Sequence, residues 1–331
     1  MPDAASHTWK IISGSVRGAT HVRSETENQD FCGGRVDAGL PVLAVADGHG
    51  SPRSFRSRRG AELAVEIALE SASSLLAAKR DAPASTLAWI ERQAKHHLPA
   101  EIVRKWRLAV QEDLERHPLT STELEQQRQE FGTEATLEGQ RAAWEPVVYG
   151  ATLLLAAIGD GYAFYLQLGD GDILVATAPA AADDTAQPAS EVHRPLPHDD
   201  TLIANETTSL CLDGAQNSFR FYFHNYRSCP PLLVLLSTDG YSNSFSTPAD
   251  FEQVASDLVR LLAQKGLAYV NENLDGWLEE ASRSGSGDDV SLGMIYRDGA
   301  ASGEQPAAAV ATPAADVEVQ DPPAVAKEEG A

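Results

Sequence analysis

The stretch that decides the fold is Val42–Gly50, which reads VLAVADGHG. Its apolar run stops at Asp47, and a second run stops in the same way within Leu232–Tyr241, which reads LLVLLSTDGY. Asp288 and Asp289 form a third acidic group just before the last strand-like run. Buried strands that end in carboxylates deliver several acids to one edge of a sheet, where a hard divalent cation is the usual reason to tolerate them. The pattern predicts a metal site assembled from distant parts of the chain.

Asp-Gly is also a common turn dipeptide, so a turn is the alternative reading at each of these positions. The chain contains seven such pairs, which begin at Asp47, Asp160, Asp170, Asp213, Asp239, Asp275 and Asp298. Asp160 lies between two apolar runs at hairpin spacing, which indicates a turn. Polar, irregular sequence follows Asp47 and Asp239 instead of a second strand. That difference favours these two as metal ligands.

Composition limits the partners and the location. The chain has 331 residues, of which 43% are hydrophobic, and a formal net charge of -22. Such a charge repels nucleic acid phosphates and anionic membranes, so we expect neither as a partner. No run approaches the ~18 apolar residues of a membrane span, and residues 1–10 lack an apolar signal region. We therefore expect a cytoplasmic location.

The chain is predicted to have one main domain and a tail. Residues 1–300 carry the strand and helix patterns, whereas residues 301–331 consist mainly of Ala, Pro, Val and acidic residues without an aromatic side chain. So little apolar bulk does not offset the entropy of ordering a chain. We expect a disordered tail that acts as an inert extension, with a docking segment as the alternative.

Hydrophobic periodicity predicts the elements of the main domain. The predicted strands are Trp9–Val16, Phe31–Val36, Leu40–Ala46, Val147–Ile158, Tyr162–Leu168, Ile173–Thr177, Leu232–Ser237 and Val290–Tyr296. The predicted helices are Gly60–Lys79, a stretch around Ile102–Leu114, one that begins at Thr247-Pro248 and ends near Ala263, and Leu267–Ser282. The polar segment Leu119–Gly139 fits either a solvated helix or a loop. Short turns between strands, with helices in pairs, favour antiparallel sheets with helices on their faces.

The acidic motifs form an ordered series along the chain. They are Asn28-Gln29-Asp30, Asp47-Gly48-His49-Gly50, Leu168-Gly169-Asp170, Ser237-Thr238-Asp239-Gly240 and Gly287-Asp288-Asp289-Val290-Ser291. Together with Tyr149-Gly150-Ala151-Thr152, their order and spacing resemble the metal-dependent protein serine/threonine phosphatases of the protein phosphatase 2C family, over about Ser13 to Tyr296. The sequence GSVRGATHVRSETENQDF that precedes VLAVADGHGS looks most like a bacterial branch of that family.

The resemblance implies an α+β fold of two packed antiparallel β-sheets flanked by helices, a four-layer α-β-β-α sandwich with two Mn²⁺ or Mg²⁺ ions between the sheets. It implies that Asp47 bridges both ions, that the Gly48 carbonyl binds one, and that Asp239 and Asp288 hold the other. Asp30 matches a position that acts through metal-bound water. Hard oxygen ligands suit both ions.

The family analogy also implies roles in proton transfer and phosphate binding. His49 would protonate the departing serine or threonine oxygen, and the alternative is a histidine that fills a turn. Arg23 and His21 both lie near the first acidic motif, and the planar fork of Arg23 makes it the preferred phosphate ligand. Gln29 stands where family members commonly have Glu, and only Glu145 lies near the position of the acid that holds a third ion.

The resemblance implies hydrolysis of phosphoserine and phosphothreonine in proteins by a water activated at two metal ions, opposing a bacterial serine/threonine kinase. Two alternatives remain open: an inactive phosphatase-like scaffold or regulatory binding module, and a phosphotransferase with an aspartyl nucleophile at Asp47. The latter lacks the Asp-x-Asp pairing expected beside such a nucleophile. The basic group Arg53, Arg56, Arg58 and Arg59 fits two uses, attraction of a phosphopeptide or pairing with Glu62 and Glu66 on a solvated helix.

Overall fold

A computed structural model describes residues 8–82, 84–132, 141–178, 190–197, 207–226 and 229–298, and within these ranges ten strands form two antiparallel sheets. The strands are β1 (Trp9–Val16), β2 (Phe31–Asp37), β3 (Leu40–Ala46), β4 (Leu153–Gly159), β5 (Tyr162–Leu168), β6 (Asp172–Thr177), β7 (Glu191–His193), β8 (Arg220–Asn225), β9 (Leu233–Ser237) and β10 (Val290–Arg297). One sheet has the order β1-β10-β9-β6-β7 and the other the order β2-β3-β4-β5-β8. The predicted tail, residues 301–331, lies outside the described residues.

Eight α-helices are present in the same ranges. They are α1 (Ala19–Ser24), α2 (Ser57–Asp81), α3 (Leu87–Arg92), α4 (Leu98–Arg116), α5 (Ser121–Phe131), α6 (Arg141–Val148), α7 (Asp239–Ser242) and α8 (Pro248–Ser284). A π-helical turn, Gln93–His97, joins α3 to α4. Within α8 the backbone is not helical at Gly266, where φ is 82°, so the element consists of two helical segments that meet at a kink, which agrees with the two helices predicted around this point.

Side-chain alternation on the strands builds three apolar layers. On β3, Leu43 and Val45 point into the core between the two sheets, while Val42 and Ala44 pack against the helices on the outer face. Successive side chains of a strand point to opposite faces, so a strand covered on both sides reads as a continuous apolar run. The outer core of this sheet includes α2 and α4, and the outer core of the other sheet includes α8. The architecture is the predicted α-β-β-α sandwich.

One predicted strand was partly wrong. Val147 and Val148 were expected to open a strand that continues to Ile158, but they end α6, and β4 begins only at Leu153. The amide of Gly150 donates to the Val147 carbonyl at 3.0 Å, which turns the chain before the strand. A short apolar run is compatible with a buried helix end as well as with a strand, so periodicity alone does not separate them.

The ambiguous polar segment after Leu119 contains the helix α5. Its first turn carries a capping box, in which Thr120 Oγ1 accepts from the Glu123 amide and the Glu123 carboxylate accepts from the Thr120 amide. This reciprocal pair satisfies amides that a helix start leaves without partners. The solvated-helix interpretation is therefore correct for the described part of this segment.

Candidate active site

A cleft of about 1200 Å³ opens at the edge of the sandwich where the acidic strand ends meet. Asp47 follows β3, Asp170 follows β5, Asp239 begins α7 directly after β9, and Asp288 precedes β10. Both sheets therefore contribute a carboxylate to the same cleft. The structure brings together residues separated by more than 200 positions, as the strand-end pattern predicts.

Two hydrogen bonds with Thr152, the residue before β4, hold the Asp47-Gly48 segment in position. The Asp47 amide donates to Thr152 Oγ1 at 3.0 Å, and the Thr152 amide donates back to the Asp47 carbonyl at 2.8 Å. A Cβ on Gly48 would lie 2.5 Å from the Gln29 carbonyl oxygen, closer than van der Waals contact allows. Only glycine lets the backbone pass this close to the Asn28-to-Asp30 segment, so Gly48 keeps the loop in position.

Asp30 follows Gln29, which lines the cleft, and is itself buried, with only 2% of its surface exposed. Thr238 Oγ1 donates to Asp30 Oδ2 at 2.7 Å, and Thr238 Oγ1 in turn accepts from the Ser291 amide at 3.0 Å. This chain of hydrogen bonds connects the start of β2 to the end of β9 and to β10. Burial raises the pKa of Asp30 well above its ordinary value, and the nearby charge of Asp289 raises it further.

The acids of the cleft oppose one another's ionisation. Burial raises the pKa of Asp47, and the charges of Asp30, Asp239 and Asp288 add to that effect. Burial and the charge of Asp170 raise the pKa of Asp239 to about 6, against a hydrogen bond with Asp47 that lowers it. Burial and mutual repulsion therefore disfavour the ionised form of these acids when no cation lies between them.

This donor set agrees in chemistry with hard divalent cations, which take carboxylate and carbonyl oxygens. Across the ranges that the structure describes, however, no three Asp, Glu, His or Cys side chains converge closely enough to ligate one ion. Carboxylates resist joint ionisation at short range unless a cation lies between them. The residues fit the type of ion that the resemblance implies, and ligation itself stays a prediction.

Asp289 organises the cleft, a function that the sequence interpretation did not assign to it. Its Oδ1 accepts from the Gly18 amide at 2.6 Å, and its Oδ2 accepts from the Gln29 amide at 2.7 Å. His21 Nδ1 also lies 2.9 Å from Asp289 Oδ1, although without hydrogen-bond geometry. Asp289 thus ties the start of α1 and the segment before β2 to the start of β10.

Comparison with known proteins identifies the family. A family model described as Protein phosphatase 2C matches residues 17–279, which is most of the chain. The chain belongs to the protein phosphatase 2C family. As a member of this family it is a protein serine/threonine phosphatase. No curated protein matches the sequence significantly.

Solved structures with a similar fold are distant in sequence. A bacterial serine phosphatase is 12% identical with a TM-score of 0.50, over 88% of this chain and 98% of that one. PppA of Pseudomonas aeruginosa is 16% identical with a TM-score of 0.49, over 88% and 98%. The catalytic domain of the serine threonine protein phosphatase PstP, in complex with 2 manganese ions, is 18% identical with a TM-score of 0.47, over 88% and 99%. At 12% identity, the match to the bacterial serine phosphatase shows similarity of the fold alone.

His21 and Arg23 occupy different positions in this phosphatase, although both lie on α1. His21 lines the cleft, opposite the acids of β9 and β10. Arg23 is exposed, and its Nη2 donates to Thr20 Oγ1 at 3.2 Å. The role of phosphate ligand stays a prediction for both residues, and of the two it is His21 that lines the cleft.

His49 lines the cleft of the phosphatase, and Gly150 contacts both its backbone and its ring. Its amide donates to the Gly150 carbonyl at 3.0 Å, and a Cβ on Gly150 would lie 2.5 Å from His49 Cδ2. The glycine at position 150 therefore leaves space for the imidazole. Burial lowers the pKa of His49, and the charge of Asp170 acts in the opposite direction.

The basic group that follows Gly50 divides into two parts. Arg56 binds Glu123 with Nε at 2.6 Å and Nη2 at 2.9 Å, and Arg58 binds Glu62 at 3.0 Å. Arg59 binds Glu62 and also Asp113, each at 3.1 Å. The predicted pairing with Glu62 is therefore confirmed for Arg58 and Arg59, whereas Arg56 pairs with Glu123 on α5, and Glu66 takes part in none of the ion pairs of the described residues. Arg53 is different, because it is exposed and lines the cleft.

No helix in the described ranges has the length and apolar composition needed to cross a membrane.

Glu145, the only acid near the expected position for a third metal ligand, is buried within α6.

Proposed function

We propose that this phosphatase hydrolyses phosphoserine and phosphothreonine in proteins with two Mn²⁺ or Mg²⁺ ions bound in the cleft. Asp47, the Gly48 carbonyl, Asp239 and Asp288 would hold the ions, and Asp30 would support them through water. The observation that carries the proposal is the set of buried carboxylates that raise one another's pKa where the two sheets meet. Such a set needs external positive charge to be fully ionised.

Bound divalent ions supply an activated water and offset negative charge on both the attacking and the leaving oxygens at phosphorus. The residues of this chain do the remaining work. Thr238 Oγ1 donates to Asp30 Oδ2 and so orients the Asp30 carboxylate. His21, with Arg23 as the alternative, binds the phosphate oxygens that enter between the two sheets.

His49 is the proposed proton donor to the leaving serine or threonine oxygen. An alkoxide is a poor leaving group, so a proton delivered in the transition state lowers the barrier. The carboxylate of Asp170, which raises the pKa of His49 against the effect of burial, helps the imidazole to retain that proton. The turn-filling alternative predicts no dependence on the leaving group.

The natural substrates would be proteins phosphorylated by a serine/threonine kinase, as the bacterial branch of the family suggests. The negative charge of the chain opposes binding of nucleic acids and anionic membranes. Proteins are therefore the favoured source of the phosphate ester.

The test is metal withdrawal and return. We expect chelated protein to hydrolyse neither nitrophenyl phosphate nor a phosphothreonine peptide, and Mn²⁺ or Mg²⁺ to restore both activities. Turnover that survives chelation would contradict the metal mechanism. Binding of Mn²⁺ without turnover on either substrate would instead support the inactive scaffold. Transfer of phosphate to the protein itself, measured by intact mass, would support the phosphotransferase alternative.

A further inference from the structure

Arg53 differs from the other arginines of its segment in the partners of its guanidinium. Arg56, Arg58 and Arg59 each lie within hydrogen-bond distance of a carboxylate. In the described part of the chain no acidic side chain pairs with Arg53, which instead lies over the ring of Phe131, with Cζ 4.6 Å from the ring centroid. Its positive charge is therefore available to a ligand.

Contacts with α5 and α6 hold the segment around Arg53 in place. Gln126 Nε2 donates to the Pro52 carbonyl at 2.8 Å, and Ser54 Oγ donates to the Val147 carbonyl at 2.7 Å. Together with the Phe131 ring, these contacts restrain both the backbone and the guanidinium of Arg53. A restrained cation loses less entropy on binding an anion than a freely moving one.

Arg53 also stands out in the charge pattern of the cleft. The described lining residues include five carboxylates, two histidines and Arg53, which is the one arginine or lysine among them. The acids gather where the phosphate is proposed to bind, and Arg53 lies six positions after Asp47 along the chain. Arg53 is therefore the described lining residue whose permanent positive charge can attract an anion to the cleft.

The distance suits a short peptide. Six residues span at most about 20 Å even when fully extended, which limits the separation of the Arg53 and Asp47 backbones. An extended peptide advances about 3.3 Å per residue. A side chain that reaches Arg53 would therefore lie within about six residues of the phosphorylated one.

We propose that Arg53 forms a subsite for an anionic side chain close to the phosphorylated serine or threonine of the substrate. The anion is a carboxylate or a second phosphate, since a guanidinium binds both through paired N–H donors. Arg53 is then a specificity-determining residue of the phosphatase. This inference rests on the proposed function.

The experiment compares phosphothreonine peptides that differ in one flanking residue. A neutral parent peptide receives a single Asp, Lys or non-hydrolysable phosphonate analogue of phosphoserine at each position within six residues of the phosphothreonine, and kcat/KM is measured with Mn²⁺. We expect at least one position where Asp raises kcat/KM about 3- to 10-fold over the neutral residue, in line with a partly exposed ion pair. The phosphonate peptides show whether a second phosphate is preferred to a carboxylate.

The variant R53E links the preference to the side chain. We expect R53E to abolish the Asp preference and to favour Lys at the same position. R128E is the matched control. Arg128 lies on α5, the helix that also carries Phe131, and its side chain is exposed but does not line the cleft. R128E changes the net charge equally and should keep the Asp preference.

Wild-type protein that hydrolyses all the peptides equally would overturn the inference and leave the proposed function intact. Retention of the Asp preference in R53E, or its loss in R128E, would also overturn it, because general charge or another residue would then be responsible. Absence of hydrolysis on every peptide and on nitrophenyl phosphate would overturn the proposed function and this inference together.

Discussion

Two groups of carboxylates in this phosphatase, one in the cleft and one behind it, show opposite electrostatics. Behind the cleft, the hydrogen bond from Arg56 lowers the pKa of Glu123 to about 2. Burial alone would raise the pKa of Asp113, but hydrogen bonds from Tyr149 and Arg59 lower it. In the cleft, burial and neighbouring acids raise the pKa of Asp47 and Asp239 instead.

The difference lies in where the compensating charge comes from. Glu123 and Asp113, the rear group, are balanced by arginines of the same chain, so these two acids stabilise the fold without a bound ion. The cleft group has carboxylates from both sheets that repel one another, and an external cation would reverse that effect. The comparison separates acids that serve folding from acids that are kept for a ligand.

The largest expected effect comes from Asp239→Asn. Loss of one negative charge should relieve repulsion in the metal-free protein and raise its Tm, while phosphatase activity with Mn²⁺ falls about 10²-fold or more because a ligand is lost. The Tm increase that Mn²⁺ gives the wild-type protein should shrink strongly. Calorimetry with and without Mn²⁺, together with nitrophenyl phosphate turnover, measures all three quantities.

Asp113→Asn is the matched control for that experiment, since it removes a carboxylate from the rear group. It should lower Tm, because Arg59 and Tyr149 donate to different oxygens of Asp113 and Asn keeps only one of these acceptors and no negative charge, and it should leave the Mn²⁺ response of Tm unchanged. The same sign of ΔTm in both metal-free variants would contradict the distinction between the two groups.

Much of this division follows from sequence pattern. The strands β1 and β3 have the predicted bounds, and the Asp160 turn joins β4 to β5 as a hairpin. Apolar runs that end in Asp give a strong signal because the burial of the strand and the charge of its end are both local properties. The meeting of the acids in one cleft was predictable for that reason.

Contacts between distant segments left no such local signal. Asp288 and Asp289 look equivalent in the sequence, yet Asp289 accepts from the amides of Gly18 and Gln29, more than 250 positions away. The partners of Arg56 and Arg59 on α4 and α5 were likewise not predictable, since helical spacing indicates only partners on the same helix, such as Glu62. Helix α1, which carries His21, was missed because its six residues are too few for a periodic pattern.

A second prediction concerns His49, which lies where the two groups meet. Its amide binds the Gly150 carbonyl next to Tyr149, which donates to Asp113 of the rear group, and its imidazole shares the cleft with the acids. His49→Ala should reduce phosphopeptide hydrolysis on the order of 10²-fold and nitrophenyl phosphate hydrolysis only slightly, because nitrophenolate leaves without a proton. Steady-state kcat on both substrates gives the comparison.

His117→Ala serves as its control, because His117 is exposed near Asp113 outside the cleft, and neither rate should change much. Equal losses on both substrates in His49→Ala would mean that His49 shapes the loop or the metal site, and His21 would become the next candidate for the acid.

The smallest expected effect is that of Glu123→Gln, in the rear group. Gln keeps the capping box of α5, which accepts Glu or Gln at this position, so the substitution removes mainly the charge that faces Arg56. We expect a loss of about 1 kcal/mol in the free energy of unfolding at pH 7, the upper range for a partly exposed ion pair. Chemical denaturation measures this loss, and the metal response should not change.

The pH dependence of that loss tests its origin. The folded pKa of Glu123, about 2, is below the ordinary value of 4.5, so the contribution of the carboxylate is present above pH 4.5 and disappears as the pH falls toward 2. The wild-type protein and Glu123→Gln should therefore differ in stability at pH 7 and converge in acid. A difference that stays constant from pH 7 to pH 3 would assign the loss to packing or to the cap, and the charge of Glu123 would then not be what stabilises the rear group.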